Sequence, residues 1–515
     1  MYKVLKADKD AYITNRHIGS SASESIRKNA NVGAAGSLDL FKLFGATLSS
    51  GSIPNLELSR LLIHFDLQPL RDLFDAGKIN VNSNSFNCKV KLFDVYGGQT
   101  TPNNFDISLF PLSASFDEGN GRDVVYYSDY DICNFLTSSI AHGAWIVSGC
   151  GKGGSAEETC DYITASISLG INNFEVKQHF STGEEDLEID ITTIMSATLA
   201  NVIPDNGYRI SFSSSQESDA YSYFVKRFAS RSAYNTSKHP RIIVRYNDSL
   251  QDDTQLLKFD ENSSIFMRNY SHGEPSNILS GSSLLPVSGS NCVILRLETI
   301  RSNGSGSYNI YFTGSQHYDG LNYTTGLYSA SFLISQSDNV LKAELLKSGS
   351  VIFTPTWISL DGTAEYLTGD DITVYPPQRS SSAQDFKNYV VTTTGIQELH
   401  RSNENVFVRV NIFDYTSPFI NFFTKVPAEP PGLVVRNAHY QIRDSATNEI
   451  VVPFDEKYDS TRISSDANGM YFILDASNLT VERGYFVDIM IATGGTKRIF
   501  KAVSNVFNVS DTQTG

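Results

Sequence analysis

Asp117, Glu118 and Asp123 crowd into the stretch LFPLSASFDEGNGRD (109–123), with Gly119, Gly121 and Arg122 between them. Carboxylates around glycines suit a calcium loop, a glycosidase pair or an acidic turn. A calcium loop needs about six oxygens at alternating positions and a glycine at the sharp bend. Three carboxylates at this spacing do not supply them. A glycosidase needs two carboxyl groups about 5–9 Å apart across a sugar cleft, whereas neighbours on a strand point to opposite faces. The stretch therefore reads as the acidic tip of a β-hairpin, with Glu118 and Arg122 satisfying local backbone or each other.

GCGKGG (149–154) has the glycines and lysine of a phosphate-cradling loop, but Lys152 is followed by Gly153 rather than Ser or Thr. DYITASISLGI (161–171) after it reads as strand, where a nucleotide loop needs a helix. The nine histidines, at 17, 64, 142, 179, 239, 272, 317, 400 and 439, form no HxH or HExxH spacing. Zinc therefore has no sequence support, and no G-x-S-x-G elbow marks a nucleophile. No residue is assigned a catalytic, cofactor-binding or metal-ligating role, and no cofactor is expected. Exposed aromatics can stack on sugar rings, and YYSDY (126–130), YSYF (221–224) and QHYDGLNY (316–323) offer candidates. At this density tyrosines also line cores and interfaces.

These side chains need a frame, and composition says what kind. The 515-residue chain carries 41 basic and 56 acidic residues, a net charge of −15. A surface of that sign repels phosphate backbones, so nucleic acid is not an expected partner. Five cysteines (88, 133, 150, 160, 292) are too few and too odd in number for a stapled secreted fold. Cys150 and Cys160 could close a small ring under oxidising conditions; otherwise the set reads as reduced, mostly buried thiols. MYKVLKADKD lacks the apolar stretch of a signal peptide, and no run is long enough to span a membrane. Synthesis in a cytosol without membrane insertion is the expectation.

Period-two alternation of β-branched and aromatic residues recurs in RLLIHFDL (60–67), CKVKLFDVY (88–96), ASISLGI (165–171) and PRIIVRY (240–246). NCVILRLETI (291–300), SYNIYFTG (307–314), VFVRVNIFDY (406–415), MYFILDA (470–476) and GYFVDIMIAT (484–493) continue it. Half-buried strands punctuated by frequent turns make an all-β protein. Helical candidates are short: SESIRKNA (23–30), LQPLRDLFDAG (67–77), SDYDICNFLTS (128–138) and DITTIMSATLANV (190–202). RYNDSLQDDTQ (245–255) marks one boundary, Pro/Ser-rich YPPQRSSSAQD (375–385) a linker before a second, and KVPAEPPG (425–432) a crossing loop. The expected domains are 1–250, a jelly-roll sandwich, then 251–395 and 396–515, two immunoglobulin-like β-sandwiches.

The first half also carries ordered motifs. ADKDAYITNRHIGSSASESIRKNANVG opens with an acidic run and an AYI strand, RLLIHFDLQPL and KVKLFDVYGG follow, and the acidic stretch comes next with Phe116 at the position of a usual Trp. DLEIDITTIMSATLANVIPDNGYRISFS (186–213) and FASRSAYNTSKHPRIIVRY (228–246) close the series. Together these resemble a DNRLRE-type module, similar to carbohydrate-binding jelly rolls and to pieces of tailed-phage virion proteins. The resemblance, with no export signal, implies a non-enzymatic structural component of a tailed-phage virion at the capsid surface, neck, tail or baseplate. Such a protein would dock onto other virion proteins as a homo-oligomer or symmetric multi-copy assembly. The alternative is a host-surface glycan-binding adhesin that uses the jelly roll.

Overall fold

The computed structural model describes residues 1–511 except 19–24, 27, 45–55, 99, 126–131, 154–159, 166–169, 172, 282–283, 302–305, 321, 378–388, 415–431 and 494. The fold is largely all-β and parts into two compact units. One comprises Tyr2–Asp75 and Phe86–Arg245; the other comprises Met1, Ala76–Ser85 and Tyr246–Gly515. Among the described residues no helix is long and apolar enough to cross a membrane.

The first unit is built on the 13-residue strand Tyr2–Thr14. Its start pairs with Arg241–Arg245 and its end with Leu56–Phe65, with a register shift between Ala7 and Lys9. An irregularity of that kind bends a strand and lets it serve two differently directed groups of neighbours. The hydrogen-bonded path runs Val176–Phe180, Phe105–Pro111, Tyr208–Phe212, Leu56–Phe65, Tyr2–Thr14, Arg241–Arg245, Asn87–Leu92, Leu187–Asp190. Its two end strands follow one another in the chain. The Gln178 side chain joins them: Nε2 donates to Asp186 O at 2.8 Å and Oε1 accepts from Glu188 N at 2.6 Å. The result is a nearly closed eight-stranded barrel.

Leu61, Leu62 and Ile63 are all fully buried, so the strand Leu56–Phe65 is covered on both faces. A continuous apolar run is what such a strand requires. The outer cover comes from the long segment after Pro111: Leu112, Phe116, Cys133, Trp145 and Cys150 pack on Ala11, Ile13 and Leu62. Phe116 is thus a core residue of this cover layer.

Helices Gln68–Asp75 and Thr192–Leu199 form where the sequence predicts them. SDYDICNFLTS does not: its described residues make bends and then the strand Thr137–Ser139. Asn134 Oδ1 accepts from the N–H groups of Leu136 and Thr137, and this local turn displaces the helix. Residues 128–131 lie outside the described residues, as do most of ASISLGI, the linker at 375–385 and the loop at 425–432. SESIRKNA forms no helix over its described residues: Ser25–Ile26 is a short strand paired with His17–Ile18.

The second unit holds two sheet systems. One orders Asn262–Arg268, Tyr323–Leu333, Ser307–Tyr318, Val293–Ile300, Val351–Ile358 and Glu365–Thr368 around a core with Leu295, Tyr328, Phe353 and Trp357. The helix Asn339–Ser348 buries Leu341 in that core. This helix lies outside the helical candidates of the sequence, although its ends are written plainly. Asp338 Oδ1 caps the N–H groups of Val340 and Leu341, and Gly349 ends the helix at φ 76°.

The other system pairs a four-stranded sheet (Tyr389–Thr394, Asn405–Asp414, Gly469–Asp475, Ser464–Asp466) with a six-stranded one. The latter orders Leu399–Arg401, Phe507–Ser510, Arg483–Thr493, Ala438–Asp444 and Ile450–Val452, with Thr496–Phe500 on its side. Leu399–Arg401 runs parallel to Phe507–Ser510. Tyr485 Oη accepts from Thr480 N at 2.9 Å and donates to Thr480 O at 2.8 Å.

The polar stretch after Tyr246 stitches the two systems together. Ser465 N donates to Leu250 O at 2.9 Å, Gln251 Nε2 donates to Ile463 O at 2.9 Å, and Ser465 Oγ donates to Asp252 O at 3.0 Å. Arg436 adds an ion pair to Asp253 at 3.2 Å.

Candidate functional site

The acidic stretch is not a hairpin. After Leu112 it has no regular structure as far as the described residues run, and Asn31 pins it. Asn31 Nδ2 donates to Glu118 O and Cys133 O, both at 2.8 Å, while Asn31 Oδ1 accepts from Gly121 N at 2.7 Å. At Gly121 an added Cβ would fall 1.9 Å from Asn31 O, which only glycine avoids. Asp117 accepts from Ile140 N and Asp123 from Val125 N. The partners of Glu118 are Asp10 N at 2.8 Å and Arg231 at 3.3 Å, not Arg122. Glu118 and Asp10 therefore lie together although distant in sequence. Burial raises the Asp10 carboxyl to about 7, with the Glu118 charge adding and Arg231 opposing. Asp10 Oδ2 accepts from Arg231 N at 2.6 Å, and its buried Oδ1 has no hydrogen-bond partner among the described residues.

At the glycine-rich loop the Asp161 carboxylate accepts from Ile146 N at 2.7 Å and Val147 N at 2.9 Å, just before it, and from Gly151 N at 3.1 Å within it, so these amides are engaged by the chain itself. The described residues after it, 161–165, form no strand, contrary to the sequence reading. The five cysteines are free; 88, 133, 150 and 160 are buried and Cys292 is half-buried. Burial pushes the Cys150 thiol up to about 12.

Among the histidines, both ring nitrogens of His64 face carboxylates, Asp8 at 2.7 Å and Asp205 at 3.9 Å. Burial opposes its protonation, but these two neighbours hold its pKa above the ordinary value. Among the described residues no group of three or more His, Cys, Asp or Glu side chains could hold a metal ion.

A cleft of about 450 Å³ lies in the second unit. One wall comes from Arg268, Tyr270 and Thr324–Leu327, the other from Phe407, Tyr471 and Ile473, with Leu250 also in the lining. Alternation builds the second wall. Val406, Val408 and Val410 are buried, so Phe407 and Arg409 face outward, paired across the sheet with Ile473 and Tyr471. Tyr270, Phe407 and Ile473 remain 56%, 45% and 42% exposed.

The rings of Phe407 and Tyr471 stack at 4.9 Å with an interplanar angle of 21°. Arg409 lies over both, at 4.9 and 5.4 Å, with its fork on Asp466 at 2.6 and 2.8 Å. From the opposite wall Arg268 donates to Tyr471 Oη at 2.8 Å. Gly326 lets its wall close in: at φ 71°, an added Cβ would meet Asn269 O at 2.6 Å. A smaller recess lined by Asp252, Phe266, Ser465 and Asn468 shares Leu250 and Arg268 with the cleft.

Of the aromatics singled out in the sequence, 126–130 lie outside the described residues. Tyr221 and Phe224 are exposed on the first unit, and Tyr223 is buried. Tyr318 and Tyr323 pair at 5.2 Å but do not line the cleft. Phe407 and Tyr471 were missed. The available signal was a large aromatic on the outward register of VFVRV, where solvent favours a polar residue.

No family model matches the chain, and no curated protein matches it. Similar solved structures include the FN1-FN3 domains of chicken CNTN1, at 10% identity over 55% of this chain and 80% of that one, with a TM-score of 0.16. Another is E. coli alpha-2-macroglobulin in its native conformation, at 8% identity over 98% of this chain and 23% of that one, with a TM-score of 0.10. Likeness of this degree defines neither fold nor function.

Proposed function

We propose that the protein is a non-enzymatic adhesin-type binding protein that recognises carbohydrate, with the aromatic cleft of the second unit as its sugar-contacting face. The observation that carries this is the Phe407 ring, 45% exposed on the wall of a cleft of about 450 Å³ and backed by the stacked, buried Tyr471, with Arg268 and Arg409 beside it. Flat apolar rings bordered by hydrogen-bonding side chains suit a sugar, whose faces are apolar and whose edges are polar. The volume falls in the usual range for ligand sites, about 300–1,000 Å³.

On this reading Tyr2–Arg245 is a jelly-roll variant and 389–510 an immunoglobulin-like sandwich. The Tyr485–Thr480 corner and the parallel Leu399–Arg401 edge support the latter assignment. Placing the sugar site in the second unit departs from the expectation that the jelly roll would hold it.

The test is a glycan array and affinity electrophoresis with the intact chain and Phe407→Ala. Retention by a defined set of saccharides, lost in Phe407→Ala at unchanged melting temperature, is the expected result. Equal retention of both proteins, or none of either, refutes it. The virion-component reading stands second, resting on the sequence resemblance alone; gold-labelled antibody on purified particles tests it.

A further inference from the structure

Arg268 differs from the other arginines around the cleft. Arg409 has Asp466, Arg436 has Asp253, and Arg462 has Asp459 at 3.8 Å together with Arg436 O. Arg268 has no carboxylate partner among the described residues; it is held by the neutral Tyr471 hydroxyl at 2.8 Å, with its guanidinium 5.9 Å from the Tyr471 ring centre, and by a hydrogen bond to Tyr270. It is exposed and contributes to both the cleft and the adjoining recess. The acidic side chains of these linings are engaged elsewhere. Asp248 pairs with the Met1 ammonium, Asp252 accepts from Thr254, and Asp466 holds Arg409. A chain of net charge −15 thus presents an oriented, uncompensated guanidinium at the edge of a stacked aromatic pair.

We infer that Arg268 is the anchor for the carboxylate of an acidic sugar, a uronic-acid or similar carboxyl-bearing residue whose ring lies against Phe407. This rests on the proposal that the cleft binds carbohydrate, and narrows it to one chemical class. The guanidinium presents parallel N–H donors that match a planar carboxylate. The Tyr471 hydroxyl fixes its orientation in advance, so little side-chain freedom is lost on binding. An anionic ligand also accounts for the lack of a neutralising acid beside Arg268 among the described residues: that place is the ligand's.

The experiment is calorimetric titration of the intact chain with one oligosaccharide in three forms: uronate-bearing, carboxyl-reduced, and sulfated on a neutral backbone. Arg268→Gln, Arg268→Lys and Phe407→Ala accompany the wild type. Expected is binding of the uronate form, weakened about tenfold or more by carboxyl reduction and equally by Arg268→Gln, as befits loss of one charge-assisted pair. Arg268→Lys recovers part of the affinity and Phe407→Ala abolishes binding. Equal binding of uronate and carboxyl-reduced forms, with Phe407→Ala still inactive, overturns the anionic assignment and leaves the sugar cleft standing. Preference for the sulfated form overturns the carboxylate. No binding of any form refutes both readings. The comparison of ligand forms uses wild-type protein, so it decides the matter even if an Arg268 variant fails to fold.

Discussion

The backbone N–H of Asp10, in the first strand, donates to Glu118 Oε1 at 2.8 Å. Arg231 then spans both residues, with its N–H on Asp10 Oδ2 and its guanidinium on Glu118. Three distant segments are thereby locked by two carboxyl groups and one arginine, which gives the acidic stretch around Glu118 a structural role.

That lock makes stability depend on pH. Burial raises Asp10 to about 7, and burial raises Glu118 as well. The folded protein keeps a proton on Asp10 that the unfolded chain releases above about pH 4. The stabilisation is complete below that pH, declines as pH climbs towards 7, and is lost above it. Asp10→Asn removes this slope: relative to wild type it gains about 2–4 kcal/mol between pH 5 and pH 8. Urea melts of both proteins at the two values measure it, and a pH-independent difference would falsify the protonated Asp10.

The Gln178 side chain bridges the two end strands of the nearly closed barrel. Gln178→Ala leaves Glu188 N and Asp186 O without that partner and costs about 1–2 kcal/mol. Amide exchange should accelerate in 176–190 before the rest of the first unit, a pattern that uniform destabilisation does not produce.

Asp161 organises the glycine-rich loop, and Cys150 lies within the segment it holds. Asp161→Asn turns an NH₂ group towards backbone N–H donors and costs about 1–3 kcal/mol. Native wild-type protein should expose at most Cys292 to a thiol reagent, with all five cysteines reacting in denaturant. The variant adds Cys150 to the native count, read by mass spectrometry after brief labelling. Fast labelling of Cys150 in the wild type contradicts the burial that raises its pKa.

Tyr485→Phe strips one hydroxyl that serves both backbone groups of Thr480. The ring stays, so the loss of about 1–2 kcal/mol belongs to the hydrogen bonds. Chemical denaturation followed by fluorescence checks it; an unchanged midpoint would mean that water replaces the hydroxyl at no cost.

Much of the fold was legible because strand alternation is local. VFVRVNIFDY dictates that Val406, Val408 and Val410 share one face and Phe407 and Arg409 the other, whatever surrounds them. RLLIHF reads as a half-buried strand by the same rule, whereas Leu61, Leu62 and Ile63 are buried on both of its faces. It does not say that Phe116 and Trp145 provide the outer cover, since that depends on how a long irregular segment folds back. The helix Asn339–Ser348 could have been read from Asp338 and Gly349, and was not. SDYDICNFLTS could not have been rejected on pattern alone, because the competing Asn134 turn is weighed against tertiary packing.

The candidate site divides along the same line. The sequence by itself determined the outward register of Phe407 and Arg409, through the two-residue period of an extended chain. Only the tertiary structure decided that Arg268 reaches Tyr471 and that Asp161 engages amides at the glycine loop. Those contacts depend on where separate strands and loops dock. That docking is set by long-range pairings such as Leu250–Ser465, of which a local pattern carries no trace.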